Sequence, residues 1–404
     1  MSSPRSAFAP TNSERADYNI ALGYLRAFVT VLVVAHHAVL AYCTFSPPPP
    51  VSLIAQPRLW LAFPVTDPHK WLGFDVLVAI NDIFFMSLMF FLSGLFVWQS
   101  LQRKGAGKFV RDRVLRLGVP FLVSAAVVAP LAYVPTYLQM TGPHDGFMRQ
   151  WLGLGIWPAG PAWFVWVLLA FDCIAAALLF VSPKWGEKLG HALSGSLTRP
   201  FAFFGVVVAV SLAAYLPMLL RFGPMDWFSV GPFFLQKSRA LHYLAYFLLG
   251  VGAGAWGIDR GILARGSKLA RRWPLWLGRA LLMFAVTSWV GLTAMTPQGL
   301  ARPYLWGSIY GVAFTLCCAA WCFALLAFFL RFTKRPRPLF DSLRDNAYGI
   351  YLAHYAFVAW VQYALLRSSL PAFVKGIGAL IGALALSWIT VGALRRIPAV
   401  RRVL

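Results

Sequence analysis

The stretch Gly23–Cys43, GYLRAFVTVLVVAHHAVLAYC, has the length and apolarity of a membrane-spanning helix, yet it contains three side chains that can carry positive charge. Arg26 lies near its start, and His36 and His37 follow ten and eleven residues later. Because a helix rises about 1.5 Å per residue, His37 should lie roughly 16 Å deeper than Arg26, near the middle of the bilayer. Polar groups at that depth are costly and usually functional, so the stretch indicates an intramembrane site. In the alternative interpretation, Arg26 snorkels to the headgroups and the histidines only bond to neighbouring helices.

The composition predicts a polytopic membrane protein. Of 404 residues, 59% are hydrophobic and 12% are charged, whereas a soluble protein carries about 25% charged residues. The net charge of +23 does not indicate nucleic-acid binding, because the basic residues fall in short segments between apolar runs. The five cysteines show no metal-ligand spacing and lie in or at the end of apolar runs, which favours a packing role.

Ten apolar runs are long enough to cross a bilayer, which predicts an all-α fold. They cover residues 20–42, 78–98, 114–135, 161–181, 201–220, 241–258, 273–294, 304–330, 347–367 and 373–394. Of the 36 Lys and Arg, 25 fall on the side of the N-terminus, nine on the opposite side, and two, Arg26 and Arg279, within spans. The positive-inside rule therefore places both termini in the cytoplasm. This predicts a cytoplasmic tail (1–19), one membrane domain (20–394) and a basic cytoplasmic tail (395–404).

Two arginines begin the third apolar run, in VRDRVLRLGVP. Arg113 and Arg116 are three residues apart, which on an α-helix places them on one face at the cytoplasmic boundary. Guanidinium groups suit phosphate binding, because their donors are forked and their charge is permanent. The plainer alternative is that both side chains only snorkel to the headgroups.

The ninth run contains NAYGIYLAHY, in which Tyr348, Tyr351 and His354 are spaced by three residues. That spacing spreads the three side chains over about 120° of one helix face, with His354 roughly 9 Å below Tyr348. An aromatic belt at the membrane interface would explain Tyr348 well. It explains His354 poorly, so this histidine is a second candidate for an intramembrane site.

The second run combines an acidic residue with a small-residue ending. Its last part, FFLSG at Phe90–Gly94, has the small residues that allow close contact between membrane helices. Asp82 lies near the start of the run. It either remains at the outer surface or turns inward to pair with an imidazole, and the sequence does not decide between these positions.

Together these motifs resemble those of the acyltransferase family 3 membrane proteins. In that family the first helix carries an Arg and, after ten intervening residues, a His, a pattern that Arg26 and His37 match. A cytoplasmic Arg-x-x-Arg is matched by Arg113 and Arg116, and a late Tyr-Gly-Ile-Tyr-Leu-x-His by Tyr348–His354. The FFLSG ending also fits. NDIFFMSLMFFLSGLF and RDRVLRLGVP are most similar to the branch that succinylates osmoregulated periplasmic glucans.

The resemblance implies an O-acyltransferase of the bacterial inner membrane. It would move an acetyl or succinyl group from cytoplasmic acyl-CoA to a hydroxyl of a glycan or another acceptor at or beyond the outer face. Arg113 and Arg116 would bind the CoA phosphates, with no metal required. His37 would act as general base on the acceptor hydroxyl, while Arg26 would orient the site or bind donor charge. The remaining candidates for lining the substrate path are His36, Tyr348, Tyr351, His354 and Asp82.

Two rival functions are compatible with polar groups inside the membrane. The first is a transporter that moves a proton or a substrate past the intramembrane His and Arg side chains. The sequence shows no inverted repeat and no paired broken helices, which argues against this rival. The second is a non-catalytic membrane scaffold, which would have little reason to keep two histidines at bilayer depth.

The charge asymmetry predicts the outcome of a cysteine-labelling scan. Loop 99–112 and both termini should react with a membrane-impermeant reagent only from the cytoplasmic side, and loops 44–76 and 136–160 only from the opposite side. Labelling of loop 44–76 from the cytoplasm alone would reverse the donor and acceptor faces.

Overall fold

The computed structural model describes residues 12–403, with side chains from residue 20 onward, so that residues 1–11 of the predicted N-terminal tail lie outside the described chain. The α-helices are α1 (Asn12–Leu40), α2 (Leu72–Gly94), α3 (Val97–Arg113), α4 (Val119–Val123), α5 (Ala129–Gln139), α6 (Phe147–Leu152), α7 (Trp163–Val181), α8 (Trp185–Leu197), α9 (Pro200–Phe222), α10 (Ala240–Trp256), α11 (Lys268–Arg271), α12 (Trp273–Ala294), α13 (Pro297–Leu300), α14 (Pro303–Phe332), α15 (Pro338–Leu365), α16 (Ala372–Leu394) and α17 (Pro398–Arg401). The all-α prediction is confirmed apart from one short β-hairpin.

Within the described chain, eight helical stretches are long and apolar enough to cross a membrane. They are Ile20–Leu40, Leu72–Gly94, Val97–Gln139, Gly160–Val181, Pro200–Phe222, Trp273–Ala294, Pro303–Phe332 and Ala372–Leu394. The remaining two predicted runs are helical as well, as α10 and α15. α10 has only 17 residues, and the first turns of α15 carry charged side chains. The chain is therefore a multi-pass membrane protein, while the exact count of ten crossings and their orientation stay predictions.

Several helices begin earlier than the apolar runs suggested. α2 begins at Leu72 rather than at residue 78, and α15 at Pro338 rather than at 347. α1 begins at Asn12, so residues 12–19 of the predicted tail are helical. Hydrophobicity marks only the part of a helix that lies in hydrocarbon, whereas polar residues extend the same helix beyond it. Asp82 consequently lies ten residues inside α2 instead of opening it.

The third predicted span is one long helix that is broken repeatedly. α3 leads into a π-helical segment, Val114–Gly118, and a second π-helical segment, Ser124–Val128, separates α4 from α5. Pro120, Pro130 and Pro135 lie along this stretch, and each lacks the N–H that would bond a carbonyl of the preceding turn. Such breaks are tolerated in a membrane only where other groups bond the freed carbonyls.

Two side chains of α15 supply donors to the broken helix. The hydroxyl of Tyr348 donates to the carbonyl of Arg116 at 2.6 Å, one turn before the first proline. The indole Nε1 of Trp360 donates to the carbonyl of Leu131 at 2.9 Å, one turn before the last proline. The carbonyls freed by these prolines therefore attach the broken helix to α15.

A β-hairpin lies beside the second π-helical segment. Strands β1 (Trp227–Val230) and β2 (Phe233–Gln236) pair antiparallel through a turn at Gly231, whose φ of +54° favours glycine. Trp157 joins the two features, since its backbone N–H donates to the carbonyl of Gly231 at 3.1 Å and its indole Nε1 to the carbonyl of Ala125 at 2.7 Å. The hairpin thus holds Trp157, the third side chain that donates to the broken helix, in place.

A buried ion pair fastens the loop between α1 and α2 to the bundle. The ammonium of Lys375, at the start of α16, lies 2.8 Å from the carboxylate of Asp67, and both side chains are fully buried. His69 is bonded to the same carboxylate at 3.0 Å. The Lys375–Asp67 pair therefore holds the loop between α1 and α2 against the start of α16.

α2 and α10 pack with their backbones in close contact, as the FFLSG motif predicted. A Cβ atom on Gly94 would overlap the carbonyl of Phe247, and one on Gly250 would overlap the carbonyl of Phe91. Gly254 meets the carbonyl of Leu95 in the same way. The favoured interpretation of FFLSG as a packing motif is confirmed by these contacts.

This contact predicts a position-specific effect of adding one methyl group. Gly94→Ala should lower the free energy of unfolding by about 1–3 kcal/mol, because the new Cβ forces two helix backbones apart. Gly205→Ala in α9 is the matched control, since its Cβ would meet no described atom within 4 Å. Thermal unfolding of both variants in detergent checks the contrast, and equal melting temperatures would contradict the packing argument.

Candidate active site

α1 and α15 lie side by side and parallel, and this brings two histidines together. At one end the hydroxyl of Tyr24 donates to the carboxylate of Asp341 at 2.9 Å. Thirteen residues further along each helix, Nδ1 of His37 lies 3.4 Å from Nε2 of His354. His354 is completely buried, whereas His37 is half-buried. The structure therefore joins the histidine of the first predicted span to that of the ninth.

Backbone carbonyls fix the orientation of both imidazole rings. Nδ1 of His37 faces the carbonyl of Val33 at 2.8 Å, and Nδ1 of His354 faces the carbonyl of Tyr351 at 2.6 Å. A carbonyl accepts only, so each Nδ1 carries the proton, and a neutral ring then keeps its lone pair on Nε2. Nε2 of His354 accepts from Nδ1 of His37. No described group bonds Nε2 of His37, which leaves this nitrogen able to accept a proton from a substrate.

Side chains of α15 hold the backbone and the ring of His37 in place. Nε2 of Gln362, on α15, donates to the carbonyls of His37 and Ala38, each at 2.9 Å. The ring of Tyr355 stands edge-on to the His37 ring, with centroids 5.2 Å apart. These contacts fix the last turn of α1 and the ring plane of His37.

The loop between α1 and α2 covers this end of the site. The hydroxyls of Tyr133 and Tyr355 both approach the carbonyl of Leu61, at 2.8 and 3.4 Å. Trp60 packs edge-on against Tyr133, and its indole bonds the carbonyl of Leu53 at 3.2 Å. The loop therefore forms a packed cover over the imidazoles, fastened further along by the Lys375 ion pair.

His36 faces a different neighbourhood from His37. Its ring stacks on Phe85 at 5.3 Å, and its Nδ1 is buried with no hydrogen-bond partner among the described residues. The charges of Asp82 and Arg239 act on it. His36 and His37 lie at different sides of α1, because neighbouring residues of a helix do not share a face.

Asp82 pairs with an arginine rather than with an imidazole. Its carboxylate bonds the guanidinium of Arg239 through two contacts, at 2.5 and 3.0 Å. Half of the Asp82 side chain is exposed, whereas Arg239 is nearly buried. The sequence did not suggest this partner, because Arg239 follows a distant loop and reaches α2 only in the fold. The pair neutralises a carboxylate ten residues inside a membrane helix.

The motif arginines gather at the opposite, basic end of the bundle, but they make different contacts. Arg113 lies 3.1 Å from the buried carboxylate of Asp172 on α7, and its guanidinium also lies over the ring of Phe109. Its charge acts on Arg26, which is exposed on α1. The structure thus brings Arg113 and Arg26 into the same electrostatic neighbourhood.

Arg116 does not share the contacts of Arg113. The predicted common face assumed a regular α-helix, but the π-helical turn that starts at Val114 rotates less per residue and separates the two directions. The side chain of Arg116 is exposed and pairs with no carboxylate of the described chain. Tyr348 contacts only its backbone carbonyl. Of the two arginines that begin the third predicted span, Arg116 is consequently the one whose guanidinium is available to an anion.

The three predicted residues of α15 form a connected series. Tyr348 bonds the broken helix beside Arg116, and the hydroxyl of Tyr351 bonds the carbonyl of Pro161. His354 then bonds the carbonyl of Tyr351. One face of α15 therefore runs from the basic end to the imidazoles over a rise of roughly 9 Å.

Three contributing residues were not anticipated from the sequence. Asp172 is the carboxylate that pairs with Arg113, and Arg239 is the cation that pairs with Asp82. Gln362 donates a hydrogen bond to the carbonyl of His37 on α1. An available signal was the polar character of Asp172 and Gln362 inside apolar runs, because such groups need a partner in a membrane. Arg239 carried no such signal, since it precedes its apolar run.

Comparison with protein families places the chain among the membrane acyltransferases. The matching family model, described as an acyltransferase domain, covers residues 19–392. The chain therefore belongs to acyltransferase family 3. No curated protein and no solved structure matches it.

Proposed function

We propose that this membrane acyltransferase takes an acyl group from cytoplasmic acyl-CoA and transfers it to a hydroxyl of a glycan at the outer face. The observation that carries the proposal is the His37–His354 contact, in which a lone pair remains on Nε2 of His37. The imidazoles lie between a basic end suited to phosphates and a packed outer loop. This arrangement fits a donor and an acceptor that approach from opposite sides.

In the proposed reaction, Nε2 of His37 takes the proton of the acceptor hydroxyl as the oxygen attacks the thioester carbonyl. The carbon–sulfur bond breaks, and the departing CoA thiolate takes the proton from the imidazolium. His354 acts as a positioning residue. Its Nε2 and the carbonyl of Val33 both accept from Nδ1 of His37, which stabilises the positive ring while it carries two protons.

At the basic end, Arg116 would bind a CoA phosphate most directly. Its guanidinium has no carboxylate partner in the described chain, whereas Arg113 already forms an ion pair with Asp172. We assign Arg113 and Arg26 a supporting part, in which their positive charge attracts the donor to this end. Tyr348 and Tyr351 would line the way from the phosphates to His354.

The proposed acyl group is acetyl or succinyl, the acceptor a periplasmic glycan, and the location the bacterial inner membrane. The similarity of two motifs to the glucan-succinylating branch favours succinyl. Mass spectrometry of cell-surface and periplasmic glycans from strains with and without the gene tests this directly. Loss of a succinyl or acetyl mass is expected in the deletion strain, and identical glycan masses would refute the acceptor class.

His37→Ala should reduce acyl transfer by about 10²–10⁴-fold, because the general base is lost. His36→Ala is the matched control, since His36 is an adjacent imidazole that faces Phe85 and makes no contact with His354 among the described hydrogen bonds. It should reduce the rate much less. The measurement is release of free CoA thiol by purified protein at equal folded concentration. Near-normal turnover in the His37 variant would refute the assignment.

Arg116→Gln should weaken acyl-CoA binding by about tenfold to a hundredfold, the effect of losing a hydrogen bond to a charged group. Arg116→Lys should restore binding only partly, because lysine keeps the positive charge but lacks the paired N–H donors with which a guanidinium binds a phosphate. The control is Arg103→Gln, which removes a charge from the same side beyond the break at Gly105, whose φ is +71°. Arg113→Gln is a poorer test, since it also leaves Asp172 buried without its partner.

Calorimetric titration with a non-hydrolysable acyl-CoA analogue measures these affinities. The loss of affinity should be smaller at high salt, because the site is exposed to solvent and salt screens its charges. Equal losses for the Arg116 and Arg103 variants would mean that the arginines serve only membrane topology.

A further inference from the structure

A second basic site lies at the same end of the bundle, apart from the motif arginines. A cavity of about 380 Å³ opens between the start of α9 and the segment leading into α12. It is lined by Arg199, Pro200, Phe201, Ala202, Lys268 and Arg272. We call it the α9–α12 pocket. Its three cationic side chains are exposed, and none of them pairs with a carboxylate of the described chain.

Arg279 extends this positive charge into the membrane. It lies seven residues after Arg272, the residue that precedes α12, so its backbone lies roughly 10 Å further along the helix. Both guanidiniums lie over the ring of Phe201, at 5.7 Å for Arg272 and 4.4 Å for Arg279, so the Arg279 side chain reaches back toward the pocket. Arg279 has no carboxylate partner among the described residues. A positive charge carried by a residue inside a span is costly unless an anion reaches it.

We propose that the α9–α12 pocket binds the phosphate headgroup of an anionic phospholipid. Arg199, Lys268 and Arg272 would surround the phosphate, and Arg279 would bond the polar glycerol–ester region below it. The exposed ring of Phe201 would contact the start of an acyl chain. Basic pockets between membrane helices on the cytoplasmic side have the chemistry for such headgroups, and guanidinium groups match phosphate geometry.

Membrane topology alone does not account for this arrangement. The positive-inside rule requires cations on one side, but not their convergence on one cavity or a guanidinium two turns inside a span. Arg271 illustrates the difference, since it is exposed on the same segment and does not line the pocket. The convergence therefore indicates a ligand.

The pocket lies away from the imidazoles. α9 and α12 pack against α14, whereas His37 and His354 meet where α1 packs against α15. Different helices therefore form the pocket and the imidazole site. A nucleotide phosphate of acyl-CoA has the same chemistry as a lipid phosphate, but the proposed donor site is at Arg116, beside the helix that leads to the imidazoles. The lipid is the source of phosphate that this position favours.

Native mass spectrometry of the purified full chain, titrated with dioleoyl phosphatidylglycerol or dioleoyl phosphatidylcholine, tests the proposal. The wild-type protein should bind the anionic lipid more tightly than the zwitterionic one. Arg272→Gln and Arg279→Gln should each weaken binding of phosphatidylglycerol by about fivefold, the effect of one basic residue near an anionic headgroup. Arg271→Gln, the matched control, should keep the wild-type affinity. Circular dichroism and the melting temperature establish that each variant is folded.

Three results would overturn the lipid site. The first is equal affinity for the two lipids, and the second is an equal loss in the Arg271 and Arg272 variants or in neither. The third comes from an arm with coenzyme A as competitor. Displacement of phosphatidylglycerol by coenzyme A, with coenzyme A binding lost in Arg272→Gln, would identify the nucleotide as the source of phosphate.

Discussion

The fold depends on one constraint, which is that polar groups inside hydrocarbon need a partner within the protein. Prolines free carbonyls along the helix from α3 to α5, and side chains of α15 bond two of them. Tyr348 is one of those donors, and its contact holds α15 against the broken helix. The bonds of Tyr24 with Asp341 and of Gln362 with the carbonyl of His37 hold α15 against α1, which brings His354 level with His37.

The same constraint divides the charged groups into two kinds. Asp82 with Arg239, and Asp67 with Lys375, are neutralised pairs that join distant segments of the chain. Arg116 is different, because it has no carboxylate partner in the described chain. The exposed guanidinium of Arg116 therefore adds a positive charge at the basic end that attracts an anionic donor.

Much of the site was predictable, because its motif residues lie on helices whose spacing is regular. The depth of His37 and the placement of Tyr348, Tyr351 and His354 on one face follow from helix geometry alone. The partners were not predictable, since contacts such as Asp82 with Arg239 join residues far apart in sequence. The sequence also could not predict that Arg113 and Arg116 point in different directions, because a π-helical turn depends on prolines and on donors from another helix.

The proposed chemistry requires that His37 keeps its proton on Nδ1 and leaves Nε2 free to act as a base. Nitrogen-15 solid-state NMR of the histidine-labelled protein in lipid bilayers, with His37→Ala to assign the signal, measures this directly. The expected signal is that of a neutral ring with a protonated Nδ1 and an unprotonated Nε2. A signal showing the proton on Nε2 would contradict it, because that nitrogen would then be a donor and not a base.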